Sequence, residues 1–101
     1  QYKVEEFTDE AVVKISGWAL NRKTLRAGTL NIVLTGQDKQ QYIVKSERLY
    51  RPDVRDAFGK RRLAFAGFEA AFIKQNLPKQ HYEVSLVLDG DARMVGSIVV
   101  A

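Results

Sequence analysis

His81 is the only imidazole in this chain and Ser16, Ser46, Ser85 and Ser97 are its only serines, so these five residues are the whole stock for a Ser-His mechanism. Such chemistry needs nucleophile, base and orienting group gathered in space. His81 follows a loop and opens a strand pattern, where ordinary surface histidines sit, and no Gly-x-Ser-x-Gly turn accompanies it. Paired carboxylates can hydrolyse glycosidic bonds, and Glu5-Glu6, Asp9-Glu10, Asp53/Asp56 and Asp89/Asp91 qualify by spacing. Each pair lies in or beside a turn, or alternates outward from a strand, and reads as solvated acid. Asp89-Gly90-Asp91 begins like a calcium loop but lacks the repeated oxygen ligands such a loop needs. Gly17, Gly28 and Gly36 are scattered rather than joined in a phosphate-cradling run. The absence of Cys removes thiolate nucleophiles, thiolate metal sites and disulfides together. The expectation is a protein that is not an enzyme and has neither cofactor nor metal.

Binding chemistry is better represented than catalysis. The 101 residues include 16 Lys and Arg against 12 Asp and Glu, a formal charge of +4. Between Lys45 and Arg62 lie seven basic and three acidic residues, so this segment holds the whole excess and the rest of the chain is balanced. Arg48, Arg51, Arg55, Lys60, Arg61 and Arg62, with Tyr50 and Phe58 interleaved, could line a groove for an anionic partner. RNA-binding sheets present several aromatic residues on one exposed face. Here most aromatic residues fall at inward positions of alternating strands, so nucleic acid is not the expected partner. Arg51 and Asp53 are expected to pair and belong to the fold. Tyr50, Arg55, Lys60, Arg61 and Arg62 remain as the candidate binding surface.

The elements that must hold these side chains are strands. Alternation of apolar and polar residues marks Tyr2 to Phe7, Ala11 to Leu20, Thr29 to Gly36, Gln41 to Arg48, Phe65 to Ile73, His81 to Asp89 and Met94 to Val100, seven strands in all. Turn chemistry separates them at Thr8-Asp9-Glu10, Asn21 to Gly28, Gly36 to Lys39, Asn76 to Gln80 and Asp89-Gly90-Asp91. Arg51 to Gly59 is the exception. Pro52 suits a first helical turn, Asp53 and Asp56 suit its positive end, and Gly59 terminates it, which predicts one short helical turn in a crossing between sheets. Seven short strands with one longer crossing predict an all-β, antiparallel, immunoglobulin-like β-sandwich, with an OB-like barrel as the alternative. One domain spans 1–101, expected to be a piece of a longer protein because Gln1 is not an initiator Met. Trp18 is expected to be the large central core residue, with Gly17 making room for it. Gly67 permits a bulge or close approach beside Phe68, which heads the inward series Phe68, Ala70, Phe72.

The combination Ile15-Ser16-Gly17-Trp18-Ala19, Arg51-Pro52-Asp53-Val54 with Phe58-Gly59, Ala66-Gly67-Phe68 and His81-Tyr82-Glu83-Val84 resembles a class of small immunoglobulin-like β-sandwich modules. These accompany bacterial glycosyltransferases and other cell-envelope proteins, including some that build teichoic-acid or capsular polymers. The likeness spans nearly the whole chain. It implies a non-catalytic accessory module at the bacterial cell envelope, with Trp18, Arg51, Asp53, Gly67 and Phe68 as framework. The implied partners are neighbouring domains of a parent chain and an anionic cell-wall glycopolymer or membrane surface. A spacer or oligomerisation domain, and a weak polyanion binder through residues 45–62, are the alternatives. Lys60, Arg61 and Arg62 depart from the pattern, which does not require them.

Overall fold

Alternation along the strands gives each one a face for the core, and the structure assembles those faces into a sandwich. The computed structural model describes residues 1–101. Eight strands occur: β1 (Tyr2–Asp9), β2 (Val12–Ala19), β3 (Leu30–Gly36), β4 (Gln41–Lys45), β5 (Glu47–Leu49), β6 (Gly67–Ile73), β7 (His81–Leu88) and β8 (Asp91–Val99). One helix, α1 (Pro52–Phe58), and two 3-10 turns, Arg61–Leu63 and Lys74–Asn76, complete the chain. The sheets run in the orders β1-β2-β6-β5 and β4-β3-β7-β8, with every neighbouring pair antiparallel. This is the strand order of an immunoglobulin-type sandwich, so the all-β expectation holds and the barrel alternative does not.

Between the sheets lies one apolar core. Val13, Ile15 and Ala19 of β2 and Phe68 and Ala70 of β6 meet Leu30, Ile32 and Leu34 of β3, Val84 and Leu86 of β7 and Ile98 of β8. Tyr82 is also buried there, and its Oη donates to the Pro78 carbonyl at 2.7 Å, four residues upstream. That corner, a tyrosine near the start of a strand bonded back to the preceding loop, is a device of immunoglobulin-like sandwiches.

Two expectations need correction. The expected strand Gln41 to Arg48 is broken at Ser46: β4 pairs with β3 in one sheet and β5 pairs with β6 in the other. Ser46 Oγ donates to the Leu30 carbonyl at 2.8 Å at this switch. The crossing between sheets is therefore at Ser46. The helix joins β5 to β6 within one sheet, and its seven residues make about two turns rather than one. Gly59 ends it in the left-handed conformation, φ 65°, as its type predicts.

The chain begins and ends at opposite poles of a molecule measuring 44 × 23 × 16 Å. The Gln1 amine donates to the Leu20 carbonyl beside the β7–β8 turn, whereas Val99 to Ala101 lie against Glu10, Ala11 and Lys74 at the other pole. No helix is long and apolar enough to cross a membrane.

Candidate functional site

The predicted binding residues belong to the β5–α1–β6 connection. Arg51 N–H donates to the Ala64 carbonyl at 2.7 Å, which clamps the two limbs of that connection together and sets Tyr50 beside Phe65. The two rings lie with centroids 5.6 Å apart, and they are 54% and 57% exposed. Arg55, from the first turns of α1, lies over the Tyr50 ring at 5.7 Å and donates from Nη1 to its hydroxyl at 3.0 Å. Its Nε donates to Asp56 at 2.9 Å. Lys60, Arg61 and Arg62 follow on the stretch leading to Phe65, all exposed and none in an ion pair. The corner thus combines two apolar ring faces with three unpaired cations. Rings of this kind stack on apolar faces of a ligand, and the cations suit phosphate or carboxylate oxygens.

Phe65 was legible only in part. The sequence predicts it as the first residue of a strand, but the strand begins at Gly67. Counting back by twos from the inward Phe68, Ala70 and Phe72 would have put Phe65 on the outward parity.

The other basic residues of the segment are consumed by the fold. Arg48 reaches through the sheet end, donating to the carbonyls of Ala19 at 2.6 Å, Ala66 at 3.1 Å and Phe65 at 3.2 Å. Its Nη1 is buried without a protein partner, and burial pulls its pKa below the usual arginine value. Arg51 forks Asp53 at 2.9 and 2.8 Å and Glu5 with its remaining donors. Those hydrogen bonds hold the Asp53 carboxyl at about 2, down from 3.8, and lower Glu5 as well. Gly67 lies under this pair, where a Cβ would come within 2.5 Å of Arg51 Cγ and 2.8 Å of the Leu49 carbonyl. Phe68 lies in the core beside it.

Trp18 takes a different place from the one expected. Val13, Ile15, Gly17 and Ala19 face the core, so Trp18 points outward and is half-buried beneath α1. It packs with Leu20, Val54, Leu63 and Ala66, and meets Phe58 edge-on at 6.0 Å. Gly17 makes room for β1 rather than for Trp18, since a side chain there would strike the Lys3 carbonyl. His81 and Ser97 share an open cleft with Glu83 and Lys39 on the far side of the molecule, with no hydrogen bond joining His81 to Ser97. No group of three or more His, Asp or Glu residues is placed to hold a metal ion.

Comparison of the chain with models of protein families, with curated proteins and with solved structures finds no match.

Proposed function

We propose that this domain is a non-catalytic accessory module of a bacterial cell-envelope or envelope-polymer protein. It holds an anionic glycopolymer at the Tyr50–Phe65 corner and so positions the neighbouring domains of its parent chain. The observation that carries this reading is the exposed, mutually tilted pair Tyr50 and Phe65, with the unpaired Lys60, Arg61 and Arg62 on the stretch leading to Phe65. Sugar rings offer C–H faces to aromatic rings, and the phosphates of a teichoic-acid chain offer oxygens to the cations. Their closeness in one connection supports a ligand that offers both ring faces and anionic oxygens. The module's resemblance to envelope-associated β-sandwiches supports the same reading.

The test is titration of the isotope-labelled chain with poly(glycerol phosphate) fragments, followed by amide NMR at low and high salt. Shifts confined to residues 50–65 and weakening with salt are expected, and Tyr50→Ala with Phe65→Ala should remove them. No salt-sensitive shift in that segment overturns the reading.

A further inference from the structure

At the pole where the β2–β3 loop meets the β7–β8 turn, the two sheets part and leave a cleft of about 460 Å³. That lies within the roughly 300–1,000 Å³ typical of small-molecule sites. Its floor is apolar, built from Leu30, Leu86 and Leu88, and its rim carries Tyr2, Asp91 and Arg93. Tyr2 is 40% exposed. Asp91 and Arg93 face each other at 3.3 Å and are themselves well exposed.

Hydrogen bonds around Asp89, which itself lines the cleft, hold the rim. Asp89 accepts from the Thr29 N–H at 2.9 Å and from Asn21 Nδ2 at 2.8 Å. Those bonds lower its pKa, so it stays ionised and keeps the turn in place. Asp89 and Gly90, at φ 49° and 85°, form the tight turn that presents Asp91. Gly28 must be glycine for this arrangement, because a Cβ there would lie 2.6 Å from Asp89 Oδ2. Arg22, also on the rim, is turned aside to Gln1 Oε1 at 3.0 Å.

We infer that this cleft binds one uncharged sugar ring, independently of the Tyr50–Phe65 corner. An apolar floor accepts the C–H face of a pyranose. A carboxylate and a guanidinium side by side supply acceptors and donors to adjacent hydroxyls. Arg22, Lys23 and Asp89 also line the cleft, so phosphate is the control for an anionic ligand, whereas a neutral polyol gains hydrogen bonds from Asp91 and Arg93, whose opposite charges already face each other.

The chain is titrated with methyl glucoside, methyl galactoside, methyl mannoside and N-acetylglucosamine, with sodium phosphate and octyl alcohol as the anionic and purely apolar probes, and read by amide NMR. At least one sugar is expected to give saturable shifts at Leu88, Asp91 and Arg93, in the millimolar range and insensitive to salt. Asp91→Ala should weaken that binding about tenfold, the loss expected for charge-assisted hydrogen bonds. Tyr2→Ala should also weaken it, while both variants keep the wild-type amide spectrum elsewhere. Shifts with phosphate alone, shifts with octyl alcohol alone, or no saturable shift with any sugar would each overturn the inference. None of these outcomes depends on the behaviour of residues 50–65, so the two sites stand or fall separately.

Discussion

Arg51 grips Glu5, the one residue of β1 that has no partner on β2. The register passes from Val4 opposite Gly17 to Glu6 opposite Ser16, leaving Glu5 bulged outward, and the Arg51 guanidinium takes its carboxylate while forking Asp53 at the start of α1. One side chain thus ties the edge strand, the helix and the β5–β6 limb together. Arg51→Ala is expected to cost about 1–2 kcal/mol in urea unfolding, more than a lone surface pair, because two forks and the packed stem over Gly67 go together. Arg51→Lys should recover little, since one ammonium cannot fork two carboxylates.

The same pairing sets a pH dependence. Asp53 titrates at about 2 when folded and near 3.8 when unfolded, and Glu5 and Asp89 are lowered in the same sense. Within that window the unfolded chain binds more protons, so stability is fully present above about pH 4 and falls as pH drops toward about 2. Thermal unfolding followed from neutral pH downward should show this decline, and Arg51→Ala should make it shallower. An equally steep acid limb in the variant would contradict the assignment.

Arg48 has a different role from its neighbours in the basic segment. Its guanidinium satisfies carbonyls of Ala19, Phe65 and Ala66 where the β2 and β6 ends meet. Arg48→Ala removes its donors to the Ala19 and Phe65 carbonyls in a part-buried site, while Ala66 keeps the Ala19 N–H, and is expected to cost about 2 kcal/mol. Lys60→Ala, on an exposed and unpaired cation, should change stability by less than about 0.5 kcal/mol. Chemical denaturation of the two variants side by side checks the contrast.

Tyr82→Phe keeps the buried ring but removes the hydroxyl that bonds the Pro78 carbonyl. A loss of about 1–2 kcal/mol is expected, with an unchanged m-value, since the packing and the exposed area on unfolding stay the same.

How much of this can be read from the sequence depends on how local each signal is. Strand faces follow from period two, and the helix follows from Pro52 and Gly59 because caps act within one turn. The break at Ser46 leaves only a faint trace: the apolar residues at inward parity, Tyr42 and Val44, give way to the polar Ser46 and Arg48, and competition between two sheets for hydrogen bonds decides that the halves separate. Trp18 is legible in the same way, since the even spacing of Val13, Ile15, Gly17 and Ala19 assigns it to the outer face. The division of the basic segment into framework and free cations was half legible. Arg51 beside Asp53 announces a pair by proximity, but nothing nearby announces that Arg48 will find carbonyls 18 and 29 residues away. The cleft at the β2–β3 pole draws on residues from Tyr2 to Arg93, a gathering that only tertiary structure creates.

The opposite placement of Gln1 and Ala101 gives the module a mechanical character. Tension applied between those ends would run along β1 and β8, which lie in different sheets and hold their neighbours at seven and eight paired positions. Because interstrand bonds lie across the strands, such a load would shear each ladder as a block instead of unzipping it rung by rung. Along the molecule's 44 Å axis such a load would be resisted until many bonds failed at once.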